Sequence, residues 1–140
     1  MSIDVHERPY SAGERVVLLL TRVLSATFFT ALVGAIENWF YERFFAPDLY
    51  AAGPPLGRAM FTLGIAVPYI LAGLIVLGLP AAYALRRMRA ESALNYAAAG
   101  LVTGALWGFT TLSSNSYGIA LAAFYGGVCA LFWWWLRPRG

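Results

Sequence analysis

Hydroxyl and amide side chains are concentrated in one short stretch, residues 108–118, whose sequence is GFTTLSSNSYG. Seven of its eleven residues carry a hydroxyl or a side-chain amide. Such a stretch can be a polar turn between two buried helices, because Ser and Asn side chains hydrogen-bond nearby backbone groups. It can equally be a helix break at membrane depth, where freed carbonyls and hydroxyls contact an ion. The choice decides between a structural membrane protein and a channel.

Residues suited to acid–base or nucleophilic chemistry are few and scattered. The acids Glu37, Glu42 and Asp48 fall in one segment without a nucleophile–base pair, the only histidine is His6, and the only cysteine is Cys129. The sequence contains no CxxC, no HExxH and no phosphate-binding glycine loop. We therefore predict a protein that is not an enzyme and that has no catalytic residues, no cofactor and no metal. An enzyme acting on lipid headgroups through these acids is a third alternative.

The composition is that of a membrane protein. Hydrophobic residues make up 60% of the chain and charged residues only 12%, against roughly 25% charged residues in ordinary soluble domains. Four apolar runs are each long enough to cross about 30 Å of hydrocarbon as a helix. They are residues 16–36, 59–85, 93–112 and 118–136. The runs lack the period-two alternation of a barrel. We predict an all-α integral membrane four-helix bundle made of two helical hairpins, forming a single membrane domain over residues 1–140.

Arginine distribution predicts the orientation, since the chain has no lysine. One side would hold the arginines of the N-terminal segment, the middle link and the C-terminal tail, namely Arg8, Arg15, Arg22, Arg86, Arg87, Arg89, Arg137 and Arg139. The other side would hold only Arg43 and Arg58. The richer side is normally cytoplasmic, which predicts both termini in the cytoplasm and a multi-pass location in a bacterial inner membrane. The net charge of +3 is then a topology signal, and we expect no nucleic-acid partner.

Two features interrupt the apolar runs. Arg22 lies about two turns inside the first run, and its long stem is expected to carry the guanidinium to the headgroups. Pro68 and Pro80 lie in the second run, where each removes a backbone hydrogen bond. The prolines predict a kink in this helix, with a gating hinge as the alternative.

The outside segment, residues 37–58, starts with a cluster of aromatic residues. These are Trp39, Phe40, Tyr41, Phe44 and Phe45. Aromatic rings favour the headgroup zone, so the cluster predicts a helix extension or an interfacial helix that ends near Pro47. A docking surface for a partner protein is the alternative function of this segment.

Small residues recur every fourth position in the third and fourth runs. They are Gly100, Gly104, Gly108, Gly118, Ala122 and Gly126. Residues four apart share one helix face, and small residues let two helix backbones approach closely in lipid. We predict that these six residues pack the third and fourth helices into a tight hairpin. The same stripes could also pair with a second copy of the chain.

The segment LWGFTTLSSNS, residues 106–116, resembles the third-helix break of the Fluc-type fluoride channels, whose pattern is approximately G-G-x-T-T-F-S-T-F-S. The matching residues are Gly108, Thr110, Thr111, Ser113 and Ser116. The resemblance implies a small four-helix ion channel that works as an antiparallel dimer, with ion contacts from Thr110, Thr111 and Ser113. The two pore phenylalanines of that family fall on Leu112 and Asn115 here.

The favoured function combines these observations. We expect a small non-enzymatic polytopic inner-membrane protein that is a subunit, or a partner-binding or self-associating protein of the accessory or immunity type. Its partners would be the lipid bilayer and either a second copy or another membrane protein. A Fluc-like ion channel is the alternative.

Overall fold

The computed structural model describes residues 11–45, 54–112 and 116–137, and all regular structure in them is helical. Helix α1 spans Ala12–Phe45. Helix α2 consists of Pro55–Gly73, a π-helical turn Leu74–Gly78 and a final segment Leu79–Arg87. Helix α3 spans Ala93–Leu112 and helix α4 spans Ser116–Trp135. The all-α prediction is confirmed for this part of the chain, and each predicted apolar run falls on one of the four helices.

Three of these helices are long and apolar enough to cross a membrane, by length and composition: α1, α2 and α4. This is compatible with a multi-pass membrane protein. Helix α3 has 20 residues and no charge, but Asn95 and three threonines lower its hydropathy. The crossing of α3, and with it a bundle of four spans, stays a prediction.

Helix α1 is longer than a membrane needs. It starts at a reciprocal cap in which the Ser11 N–H donates to Glu14 Oε2 at 2.7 Å and the Glu14 N–H donates to Ser11 Oγ at 3.2 Å. Its 34 residues correspond to about 51 Å at 1.5 Å per residue. Since the hydrocarbon core is about 30 Å thick, the aromatic segment up to Phe45 continues the same helix beyond it. Residues 46–53, which include Pro47 and Asp48, lie outside the described part of the chain.

Helix α2 contains the irregularity that its prolines predict, but as a π turn. Pro55 occupies the first turn, where a missing N–H costs nothing. Beyond Pro68, which is inside the helix, the N–H of Leu79 bonds the carbonyl of Leu74 five residues earlier. This wider turn adds a residue to the helix between Pro68 and Pro80, and π turns are frequent at functional sites.

The helices pack in two pairs, α1 with α2 and α3 with α4, and α1 also contacts α4. Helix α2 makes only sparse contact with α3. The buried core includes Val23 of α1, Leu74 of α2 and Trp133 of α4. Thr30 is fully buried and donates its hydroxyl to Ala26 O at 2.7 Å within α1. Consequently a seam remains between α2 and the α3–α4 pair.

Candidate functional site

The predicted packing glycines lie where the backbones of α3 and α4 meet. A Cβ atom added at Gly108 would lie 2.7 Å from the Ala122 Cβ, and one added at Gly100 would lie 2.6 Å from the Ala130 Cβ. A Cβ at Gly104 would collide with the Ala122 carbonyl oxygen, and one at Gly126 would collide with the Gly100 carbonyl oxygen. These distances are shorter than van der Waals contact, so any side chain there would push the two helices apart.

Gly118, the sixth predicted packing residue, lines an apolar cavity of about 350 Å³ together with Phe61 and Ile65 of α2. Ala122, which contacts Gly104 and Gly108, lines the same cavity. The packing role of Gly118 therefore stays a prediction.

The predicted ion-contact residues are engaged with their own helix. Thr110 Oγ1 and Thr111 Oγ1 both donate to the Trp107 carbonyl, at 2.9 Å and 2.7 Å. The Thr111 hydroxyl hydrogen is therefore used, and Tyr69 of α2 donates its hydroxyl to Thr111 Oγ1 at 2.7 Å. Helix α3 continues unbroken to Leu112. Ser113 lies outside the described residues.

Two separate sets of polar contacts join α1 to α4 and to α2 at the end opposite Arg22. Tyr125 of α4 donates its hydroxyl to Glu37 Oε2 at 2.6 Å, and Asn38 Nδ2 donates to Glu42 Oε1 at 2.9 Å. Arg58 of α2 pairs with the same Glu42, with 3.4 Å between Nε and Oε2. A cavity of about 260 Å³ adjoins Glu37 and Tyr125. Glu37 thus ties α1 to α4 through a hydrogen bond, and Glu42 ties α1 to α2 through an ion pair.

The sequence alone indicates only part of these polar contacts. Asn38 and Glu42 are four residues apart on one helix, a spacing at which polar side chains meet. Tyr125 is 88 residues from Glu37, and no local pattern connects them. Of the other candidates for chemistry, His6 and Asp48 lie outside the described residues, and Cys129 is buried in α4. Within the described ranges, no group of three His, Cys, Asp or Glu side chains could hold a metal ion.

An apolar cavity of about 70 Å³ occupies the seam between α2 and the α3–α4 pair. The π turn contributes Leu74 and Gly78 to its wall, and Trp107 of α3 closes the opposite side. The Trp107 indole lies against Gly73, where an added Cβ would be 3.2 Å from Nε1. This Nε1 is buried and has no hydrogen-bond partner among the described residues. Most of the lining residues are apolar, and small residues such as Gly73 of α2 and Gly100 of α3 contribute to the lining.

Arg22, whose guanidinium is expected at the headgroups, contacts the last turn of α4; its depth in the membrane stays a prediction. Its Nη2 donates to the Trp133 carbonyl at 2.9 Å, and its guanidinium carbon lies 4.2 Å from the centre of the Trp133 ring. Trp133 belongs to the last turn of α4, whose carbonyls have no partner within the helix. Arg22 therefore caps the C-terminus of α4, where a positive charge is also favoured by the helix dipole.

The fold and these contacts define an all-helical protein with three helices suited to crossing a membrane. Comparison of the chain with protein-family models, with curated proteins and with solved structures gives no match.

Proposed function

We propose that this chain is a small non-enzymatic polytopic protein of a bacterial inner membrane, which acts as a subunit by binding another membrane protein or a second copy of itself. The observation that carries the proposal is the extension of α1. About 20 Å of this helix exceeds the hydrocarbon thickness, and its outer turns expose Phe44 and Phe45, with Phe45 79% exposed. A rigid helix with exposed rings outside the core suits the docking of a partner, because aromatic residues are enriched at interfaces.

The polar contacts support a subunit more than an enzyme or a channel. Glu37 and Glu42, which could serve a lipid-modifying enzyme, are bonded to Tyr125 and Arg58 in contacts that join helices. Thr110 and Thr111, on which a Fluc-like channel would depend, bond the carbonyl of their own helix. These carboxylates and hydroxyls are used in contacts within the protein. An active site or an ion pathway would need them free to contact substrate or ion.

We further propose four crossings, with both termini cytoplasmic. The threonine hydroxyls that lower the hydropathy of α3 are bonded to carbonyls one turn earlier, as for Thr103 with Ala99 at 2.8 Å. Such bonds satisfy the hydroxyl inside lipid, which supports a crossing by α3. The arginine excess supports the orientation.

The topology can be measured by cysteine labelling in a Cys129→Ala background. Phe45→Cys places a single thiol at the C-terminal end of α1, and Met88→Cys places one directly after the end of α2. The two positions are expected on opposite sides of the membrane, and both native side chains are exposed. An impermeant maleimide is expected to label Phe45→Cys in intact cells and Met88→Cys only after permeabilisation. Labelling of Met88→Cys alone in intact cells would overturn the orientation, and equal labelling of both would show a dual orientation.

The docking function can be tested by in-cell photocrosslinking. A photoreactive residue at Phe45 should give one discrete protein adduct, whose mass distinguishes a second copy from another subunit. The same residue at Val17, which is 61% exposed near the other end of α1, is the matched control and should give no such adduct. The absence of any adduct at Phe45, or the same adducts at both positions, would contradict the proposal.

A further inference from the structure

Three guanidinium groups lie together at one end of the molecule, which we call the arginine end: Arg22, Arg86 and Arg137. Arg86 and Arg137 are close enough to Arg22 for their positive charges to repel it. Arg137 Nη1 donates to the Glu91 carbonyl at 3.2 Å, and Arg86 Nε lies 3.5 Å from Glu91 Oε1. Glu91 also accepts a hydrogen bond of 3.2 Å from the Tyr96 hydroxyl.

Among the described residues, positive charge is in excess at this end. Arg86 and Arg137 both contact Glu91. Of the described carboxylates, Glu91 is the one whose charge favours the Arg22 cation, whereas the charges of Arg86 and Arg137 oppose it. The Arg22 Nε is buried and has no hydrogen-bond partner among the described residues. Clustered like charges with a single counter-ion are costly near an apolar medium, and an added anion would lower that cost.

The apolar cavity between α2 and the α3–α4 pair extends to the same end of the molecule. This end of the cavity is lined by Leu85, Tyr96 and Trp133. The guanidinium of Arg22 lies over the Trp133 ring. Along α3 the cavity reaches from Tyr96 to Trp107, a length of about 16 Å at 1.5 Å per residue. The cavity volume of about 70 Å³ is about half that of a cavity known to hold benzene, so it has room for a short part of an acyl chain.

We propose that the arginine end and the cavity together form a binding site for an anionic phospholipid. The phosphate lies between Arg86 and Arg137. Arg22, which is packed on Trp133, contributes its positive charge from the side of the protein interior. A short part of one acyl chain enters the cavity beside the π turn. Charge and shape agree in this choice, because basic pockets between membrane helices bind anionic headgroups. The site depends on the chain lying in a membrane and does not depend on the docking function, which uses the opposite end of α1.

The headgroup part can be tested on the purified full chain in a neutral detergent. Binding of phosphatidylglycerol and of phosphatidylcholine with identical chains is measured by native mass spectrometry, together with the lipid-induced shift in unfolding temperature. Arg86→Gln should weaken phosphatidylglycerol binding about fivefold, and the double variant with Arg137→Gln about thirtyfold, at one basic residue's usual contribution each. Neither arginine belongs to the buried core, so both variants should fold.

Two further variants make the charge test specific. Arg43→Gln removes the same charge at the other end of the molecule and should leave phosphatidylglycerol binding unchanged. Glu91→Gln removes the carboxylate that pairs with Arg86 and should strengthen binding about fivefold. Equal binding of the two lipids, or an equal loss in Arg43→Gln, would overturn the proposal.

The acyl-chain part is tested by filling the cavity. Ala81 lines the cavity and Ala84, three residues on, is exposed. Ala81→Leu should weaken phosphatidylglycerol binding about tenfold or more, since overfilling a packed space costs that much, and Ala84→Leu should have no effect. Unchanged binding in Ala81→Leu, or full displacement of the lipid by inorganic phosphate, would show an anion site without a lipid tail and would overturn the proposal.

Discussion

Gly104→Leu is expected to separate α3 from α4 and to lower the free energy of unfolding by about 3 kcal/mol or more. The reason is steric, because a Cβ at Gly104 would meet the Ala122 carbonyl oxygen and would lie 3.0 Å from Gly126 Cα. Both atoms are backbone, so neither can turn aside as a side chain would. The higher helix propensity of leucine offsets only about 1 kcal/mol of this cost.

The matched control is Gly64→Leu in α2. A Cβ at Gly64 meets nothing within 4 Å, and the residue is exposed in the middle of its helix. This variant should be as stable as the native protein or slightly more stable. The unfolding midpoints of both variants and of the native protein, measured in one detergent, give the comparison. Equal midpoints for Gly104→Leu and Gly64→Leu would mean that the glycine stripe does not hold α3 against α4.

The glycine spacing illustrates what the sequence can specify. A repeat of four selects one face of a helix, so the spacing alone identifies the narrow face of α3. It does not identify the register, because small residues recur every fourth position in both helices and several offsets fit that spacing. That register places Gly100 against Gly126 and Gly108 against Ala122. It leaves Gly118, which has the same spacing, in the wall of a cavity with α2.

The contacts between distant helices are beyond sequence reasoning for a related reason. Arg22 meets Trp133 across 111 residues, and only the packing of α1 against α4 brings an unpartnered helix-end carbonyl to its guanidinium. The prolines of α2 predict an irregular helix, but the same prolines suit a kink or a π turn. Which one forms depends on the groups available to re-satisfy the freed carbonyls.

The composition of α3 shows a limit of averaged hydropathy as a predictor of membrane crossing. Asn95 and its threonines place it below the hydropathy of the other three helices, although it carries no charge. A hydropathy scale gives each residue type one value, whether or not its hydroxyl is hydrogen-bonded in the structure. Here Thr103 and Thr111 donate to carbonyls of their own helix. Local pairing is a structural property that an averaged scale omits.

Trp133→Ala is expected to lower the free energy of unfolding by about 3 kcal/mol, within the range known for removal of a buried Trp side chain. Trp133 is 6% exposed and contributes to the core formed by α1, α2 and α4. In lipid the loss comes mainly from dispersion contacts and a new void, since neighbouring acyl chains are as apolar as the core. Arg22 also loses the ring at 4.2 Å, a contact worth about 2 kcal/mol when desolvated.

Trp135→Ala is the control for this effect, because Trp135 lies two residues further along α4 and is 57% exposed. It should change the free energy of unfolding by no more than about 0.5 kcal/mol. Trp133→Phe keeps an aromatic face beneath Arg22 and should fall between the two alanine variants. Unfolding of all three variants in one detergent then separates the contributions: the step from alanine to phenylalanine reports the ring face, and the step from phenylalanine to tryptophan reports the filled volume. If Trp133→Ala and Trp135→Ala lost equal stability, Trp133 would face lipid. The Trp133 ring would then not be a buried contact that holds Arg22 at the C-terminus of α4.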